Sequence, residues 1–396
     1  MPTGQCARRC DVTLTLSSLE QLTDTVNEAR NTQTPLVDYG IYHAKLGHLP
    51  PEKHTPYTLA GDIVEHYVND FTVRAHAGIT IGQLNAQLFE QGQFIPINCD
   101  DDLTLGEVIN HNVYGSLRLR YGSMRDQLLG LHYLDNHAND IHVGGRTVKN
   151  VAGLDVTRLM IGSMGELGIV HQATLRTYAL PAEVARIDLE FKSLDLLPQQ
   201  ITDWMLSPAY PSSIYLRRLG DAWHVELGYL GNTKANDVQV NALKDSIADI
   251  DDIELTDERR VTVPEHLKFG NQGRSWQRKT KTLVKAICPP REIPMLANTL
   301  ADMGVTQIGG YPAHGCLLAA GALTSEMDLK LQDTLQAIGG MRQWIIPPVY
   351  DDGRTSCVTP FAPEQPDWTF LSRIKKTMDP LNLFNPGRFI ETGASA

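Results

Sequence analysis

The sequence predicts an α+β protein in three consecutive parts. Its 396 residues exceed the size of one typical domain. Residues 12–181 alternate short helices with β-rich runs, and residues 182–325 mix longer alternating strands with helices, a rhythm that suits an antiparallel sheet. Residues 326–396 form a closing segment with a helix at each end of a Pro-rich loop.

The elements follow in order. Serines open an amphipathic helix over 18–31, with Leu19, Leu22, Val26 and Ala29 on one face. A short strand is predicted at 34–37 and another at 72–77. A helix over 82–91 turns Leu84, Leu88 and Phe89 inward. Residues 105–110 lead to a glycine-bearing loop at Gly115, and RYGSMRD at 120–126 precedes a strand at 128–134. Residues 136–140 read as a hairpin turn and 141–143 as its return strand. In the second part, strands at 186–191 and 222–229 accompany helices at 233–247 and 291–303. The last part holds a helix from about Glu326, the loop at Pro347 and Pro348, and a final helix over 368–378.

The most informative stretch is 144–181, GGRTVKNVAGLDVTRLMIGSMGELGIVHQATLRTYALP. Asp155 reads as the N-cap of a helix over 156–161 that stops at Gly162. Gly162, Gly165 and Gly168 recur every third residue before strand character at 169–170 and 173–178. Glycines spaced this closely let backbone approach a partner, and their amides suit a polyanion or a planar ring. Lys149 and Arg158 add cations nearby. A tight helix-to-strand corner carrying surface charges accounts for the same residues.

Composition excludes several function classes. A net charge of −11 argues against a broad nucleic-acid or anionic-membrane surface. No apolar run reaches the length of a transmembrane helix, and MPTGQCARRCDVTLTL lacks an apolar signal core. Six scattered cysteines suggest reduced thiols and a cytoplasmic setting. There is no G-x-G-x-x-G opening a βαβ unit, no P-loop, no H-E-x-x-H, no paired C-x-x-C and no G-x-S-x-G. His43, His48 and His54 are spaced irregularly in a Pro-rich loop, and His111, His132, His137 and His142 fall on different elements, so no metal site is expected. Asp100, Asp101 and Asp102 read as a solvated acidic loop.

Several blocks together resemble the vanillyl-alcohol-oxidase-type FAD-binding proteins, within them the FAD-linked oxidases of the glycolate and D-lactate group, and most of all the FAD-binding E-subunit branch of glycolate oxidase. The blocks are HAGITIGQLNAQLFEQGQFIPIN at 76–98, RYGSMRDQLLGL at 120–131, GRTVKNVAGLDVTRLMIGSMGEL at 145–167 and MDPLNLFNPGRF at 378–389. They cover roughly half the chain, in family order. The resemblance implies a two-lobed PCMH-type FAD-binding domain over 12–181, a cap domain with an antiparallel sheet over 182–325, and a C-terminal segment over 326–396 that packs back on the first domain. It implies FAD as cofactor. Gly162, Ser163, Gly165, Gly168 and Ile169 would line it through backbone groups. Lys149, Asn150, Gly153 and Asp155 would shape the adjoining loop. Tyr121, Gly122, Ser123, Arg125 and Asp126 would flank the pyrophosphate and ring, Asn385 would sit on the ring side, and Gly40, His43, Gly78 and Gly106 would complete the cleft. The implied partners are a catalytic flavoprotein subunit, an iron–sulfur subunit and a small 2-hydroxy acid, with peripheral attachment to the inner membrane through those partners. Catalytic residues are not assigned.

The chain departs from the family pattern in one place above all. Where the pyrophosphate loop usually reads G-G-G-T, this chain has Asp38-Tyr39-Gly40-Ile41-Tyr42-His43. A second glycine pair is expected after Leu105, but Glu107 follows Gly106 and brings a carboxylate toward the phosphates. The cap also lacks the His-rich G-D-G-N-x-H motif of catalytic members. The nearest piece is Tyr311-Pro312-Ala313-His314-Gly315-Cys316. These departures leave three readings: an FAD-binding subunit, a scaffold of the same fold without the cofactor, and a stand-alone oxidase using the divergent cap. In the cap, Arg217, Arg218, Arg274 and Arg278 are candidates for a substrate carboxylate, against the plainer reading as surface charges, and Trp276 for a partner-facing patch.

Overall fold

A computed structural model describes residues 13–40, 54–145, 155–269, 282–346, 361–362 and 368–388. In the first lobe, helix Leu19–Thr32 starts at Ser18, whose side chain accepts from the Gln21 N–H, and ends at Gln33 in the left-handed region. Its buried Leu22, Val26 and Ala29 pack on Leu16, Leu36 and Tyr57 of a parallel three-stranded sheet. The sheet runs Leu14–Leu16, Thr55–Leu59, Leu36–Asp38. The tail closes this lobe. Leu383 and Phe384 enter its core, the Leu36 N–H donates to the Leu383 carbonyl at 2.7 Å, and the Asn385 N–H donates to the Leu36 carbonyl at 2.9 Å.

The second lobe is an antiparallel sheet in the order Ile63–Tyr67, Thr72–His76, Ile169–Arg176, Leu128–Leu134, Asp140–Gly144. Helices Ile81–Phe89 and Leu105–Asn110 share its core through Leu84, Leu88, Leu105, Val108 and Ile109. Each starts with a capping box, Thr80 with Gln83 and Thr104 with Glu107, which satisfies two otherwise orphaned amides. The strand predicted in two pieces at 169–170 and 173–178 is one strand to Arg176, followed by Tyr178–Ala179 paired with Gln93–Phe94.

The cap is a nine-stranded sheet from Ile253–Val261 at one edge to Phe361–Ala362 at the other. Helices Leu197–Met205, Thr233–Ile247, Ile293–Asp302 and Ser325–Ala337 share one core with it, centred on Trp204 and Trp344. Helix Ser325–Ala337 and strand Met341–Ile346 belong to this sheet, because Met341–Ile346 pairs antiparallel with Leu283–Ile287. The segment that returns to the first domain is Trp368–Met378 and the tail after it, so we propose that the cap extends past residue 325 to include strands Met341–Ile346 and Phe361–Ala362. No described helix is long and apolar enough to cross a membrane.

Candidate functional site

The glycine turn hangs on the end of helix Leu105–Asn110. Asp155 caps the short helix Val156–Met160 by accepting from the Arg158 N–H, and it also pairs with the Arg158 side chain at 2.8 Å. Gly162 and Met164 then donate their N–H groups to the carbonyls of Ile109 and Asn110 at 3.0 and 2.9 Å. Gly162, Gly165 and Gly168 all have positive φ, at 78°, 71° and 153°. A Cβ on Gly165 would lie 2.6 Å from Asn385 Nδ2, so this glycine is also fixed by close approach. Met164 adopts positive φ at 56° and packs into the cap core, placing the turn at the boundary between the domains.

A buried polar knot from the tail holds the turn. Asn385 Nδ2 donates to the Gly165 carbonyl at 3.0 Å, and Asn385 Oδ1 accepts from the Asp38 N–H at 2.9 Å. Arg388 donates its N–H to Glu166 Oε1 at 2.7 Å and its guanidinium to the Asp38 carbonyl at 2.8 Å. Lys375 Nζ donates to the carbonyls of Glu166 and Phe384 and to Asp379 Oδ2, at 2.6, 3.0 and 2.6 Å. Glu166 and Lys375 are fully buried. Burial lowers the Arg388 pKa against the opposing pull of Asp38, and burial followed by the Asp38 charge raises that of Tyr57 well above the usual phenol range. The sequence offered Asn385 as a site residue; Lys375, Glu166 and Arg388 were missed, although Lys375 and Asp379 stand four apart on one helix face.

The opposite wall is Asp38, Tyr39 and Gly40. The Gly40 N–H donates to Asp38 Oδ1 at 3.1 Å, and Tyr39 Oη bonds His54 Nε2 at 2.7 Å. The Glu107 side chain lies against Gly40 so closely that no Cβ fits there. Glu107 is buried, and its Oε2 accepts from the Thr104 N–H and Oγ1 at 2.9 and 3.1 Å. The carboxylate therefore stands between Gly40 and the first turn of helix Leu105–Asn110.

Gly40, Gly106, Gly162, Ser163, Gly165 and Asn385 thus gather around one helix and one tail. The other expected residues have local tasks. Gly106 donates its N–H to the Ala77 carbonyl at 2.8 Å, and Gly78 allows close packing on Leu59. Ile169 is a core residue of the first lobe, and Gly168 packs against Leu134 and Tyr133. Ser123 and Asp126 cap each other at 2.8 and 2.9 Å, and that backbone hydrogen bond holds the Asp126 pKa down. Gly122 has a positive φ of 80° beside Asp126, and Arg125 is exposed. Tyr121 packs edge-on against Tyr178 and Phe94, while neighbouring Arg120 reaches Ser212 Oγ in the cap at 2.9 Å. This loop joins domains. His43, Lys149, Asn150 and Gly153 lie outside the described residues.

The cap arginines resolve differently from both earlier readings. Arg217 is buried in an ion pair with Asp188, and Arg218 bonds Asp221 at 3.1 Å and the Val305 carbonyl at 3.3 Å, so both serve the cap itself. Arg274, Trp276 and Arg278 lie outside the described residues. A cluster that sequence reasoning did not assemble stands between the domains. Arg118 and Lys285 each lie 4.5 Å from the ring centre of Tyr114, which meets Tyr311 at 5.8 Å and His314 at 6.5 Å. Burial, then Arg118, pushes the His314 pKa down to about 4, so its imidazole is neutral at pH 7. Burial also raises the Tyr114 phenol well above its usual range and pushes the Cys288 thiol up to about 12.

Comparison with known proteins gives a consistent picture. The model of an FAD binding domain family matches residues 10–144. The chain is 30% identical over 205 residues to glycolate oxidase subunit GlcE of Escherichia coli K12, covering 51% of this chain and 57% of that one. It is 31% identical over 174 residues to the mitochondrial cytochrome-type D-lactate dehydrogenase of Arabidopsis thaliana, covering 43% of this chain and 31% of that one. Glycolate oxidase subunit GlcD of Bacillus subtilis is 33% identical over 111 residues, 28% of this chain and 24% of that one. The chain therefore spans between a quarter and just over half of these relatives. Alkyldihydroxyacetonephosphate synthase shares the fold, with a TM-score of 0.69 at 14% identity over 94% of this chain and 75% of that one.

FAD is the cofactor of the matched family, and the walls of the cleft accommodate it unequally. On the turn side, Asn110 and Asn112 each bury a side-chain oxygen without a partner beside Gly165 and Gly162, as a polar ligand would require. On the Gly40 side, the Glu107 carboxylate occupies the approach and would repel a diphosphate. The ordered motifs, the matched domain and the shared fold agree: the chain carries an FAD binding domain over residues 10–144 and is similar in sequence to glycolate oxidase subunits and D-lactate dehydrogenases.

Proposed function

We propose that this chain is the FAD-binding subunit of a glycolate-oxidase-type complex that oxidises a small 2-hydroxy acid, such as glycolate, to the 2-oxo acid. A catalytic flavoprotein subunit and an iron–sulfur subunit complete the complex, and the assembly is cytoplasmic, with peripheral attachment to the inner membrane through those partners. The observation that carries this reading is the convergence of Gly162, Gly165, Asn385 and helix Leu105–Asn110 from widely separated parts of the chain into one cleft. Bound FAD would supply the acceptor for a hydride from the substrate α-carbon. Asn110, Asn112 and the Gly162–Gly165 backbone would hold it, with Lys149, Asn150 and Gly153 on the adjoining loop. Arg118 and Lys285, beside neutral His314, would receive the substrate carboxylate. The missing G-D-G-N-x-H motif supports an auxiliary role for the isolated chain.

The test is the visible spectrum of the purified chain after reconstitution with FAD. We expect stoichiometric flavin absorbance, bleached by glycolate only when the two partner subunits are added. A chain that takes up no flavin overturns this reading. The contact of Glu107 with Gly40 favours a second one, a scaffold of the same fold that has lost the cofactor. Bleaching of the isolated chain by glycolate would exclude that scaffold and the auxiliary role together.

A further inference from the structure

The outer face of the five-stranded sheet carries an assembly of metal-ligating side chains away from the flavin cleft. His132 and His142 are direct partners on neighbouring antiparallel strands, and their rings stack at 4.2 Å with 10° between planes. Asp140 lies two residues before His142, on the same face of its strand. His171 joins them through an irregularity of register. His132 pairs with Gln172 and Tyr133 with Val170, so His171 is the extra residue of a β-bulge. Bulges re-aim side chains, and here His171 Nε2 reaches Asp140 Oδ1 at 2.9 Å while His132 Nδ1 stands 3.5 Å from the same oxygen.

We propose that His132, Asp140 and His171 bind a zinc-class dication. Their three ligand atoms all lie within 4.8 Å of one another. Around a tetrahedral zinc ion with bonds of about 2.0–2.2 Å, ligand atoms stand roughly 3.3 Å apart. Two of the spacings are already close to that, and rotation of one imidazole closes the third. Two imidazoles and one carboxylate are the donor set of an open zinc site, with a fourth position left for water. The side-chain exposures grade from 9% at His171 through 20% at His132 to 36% at Asp140, so the site has a buried floor and an accessible side. Stacking on His142 fixes the His132 ring, as outer groups do in metal sites. Arg74, which lines the same pocket as His132 and His142, is paired with Glu65 at 2.9 Å, which offsets its repulsion of an ion.

Titration of the full-length, chelator-treated protein with Co²⁺, followed by displacement with Zn²⁺, tests the site. We expect one equivalent of Co²⁺ with the visible bands of a low-coordinate N/O site, lost on adding Zn²⁺. His132→Ala and His171→Ala should each weaken binding at least about tenfold. Asp140→Asn preserves hydrogen bonding to both imidazoles, so it should weaken binding while leaving the melting temperature of the metal-free protein unchanged. His137→Ala, an exposed histidine on the adjacent turn, should bind as wild type. Absence of Co²⁺ bands in the wild type, or wild-type binding by the Asp140→Asn and His171→Ala proteins, overturns the proposal.

Discussion

The Glu107 carboxylate rests directly on the α-carbon of Gly40, while its other oxygen caps the helix that begins after Thr104. An anion from the chain itself thus stands between Gly40 and the first turn of helix Leu105–Asn110. The charge and the cap can be separated. Glu107→Gln keeps an acceptor for the Thr104 N–H and removes the charge, so FAD affinity should rise by about tenfold, equivalent to roughly 1.4 kcal/mol. Glu107→Gly should raise it further but lower stability by about 1 kcal/mol through the lost cap. Fluorescence titration with FAD reads the first effect and thermal melting the second. Unchanged affinity in both proteins would show that the carboxylate does not oppose the cofactor.

Lys375 gives a second prediction. It is fully buried with three acceptors, two of them carbonyls on the glycine turn and the tail. Lys375→Met leaves the Asp379 carboxylate buried without its cation, a loss of about 3–5 kcal/mol. Denaturant unfolding should show it as a lower midpoint. Because Lys375 ties the tail to Glu166, hydrogen exchange should also quicken at the amides of Leu383 and Phe384, which Asp379 holds at 2.9 Å. Unchanged exchange there would disprove the clamp.

These two relationships differ in how far they were legible in the sequence. The helices at 18–31, 233–247 and 368–378 emerged within a residue or two, because their caps and apolar faces are local signals. The three glycines of the turn were read as conformationally required, and all three have positive φ. Glu107 stood out as a charge in a glycine position, although its packing on Gly40 depends on the fold of the 66 residues between them. The Ile169 side chain lies in the core of the first lobe, a placement that strand register decides and a motif does not reveal. His132 and His142 were placed on different elements and His171 was not considered, because one ladder and one bulge bring them together and neither leaves a spacing to read.

Acid stability follows from the cap interior. Burial pushes the His266 pKa down to about 3 from an ordinary 6.5. Between those values the unfolded chain binds more protons than the folded one, so stability falls as pH drops below about 6.5. The full effect is on the order of 5 kcal/mol at about 1.4 kcal/mol per unit. Glu226 acts oppositely. Burial raises it to about 7 from 4.5 despite its bond to Arg186, so here the folded state holds the extra proton and stability falls as pH rises from about 4.5 to 7. The two slopes partly cancel in the wild type. Melting temperatures from pH 4 to 8 should show His266→Gln losing the acid-side decline and Glu226→Gln steepening it. Parallel curves for all three proteins would refute both assignments.

The cluster between the domains supplies the last prediction, which rests on the proposed oxidation of a hydroxy acid. Lys285 and Arg118 both face Tyr114, in a loop of the first domain, while Lys285, Tyr311 and His314 belong to the cap. A carboxylate entering between the domains would exchange a ring face for charge-assisted hydrogen bonds, each worth about 1.5–3 kcal/mol. Lys285→Met should therefore weaken binding of glycolate or oxalate by about 10–100-fold. Perturbation of the flavin spectrum in the reconstituted protein reads this directly. Tyr114→Phe keeps the ring under both cations and should leave binding nearly unchanged, because burial and Cys316 keep its phenol protonated throughout the working range. If Lys285→Met binds flavin normally and its carboxylate affinity is unaltered, the anion binds elsewhere in the chain.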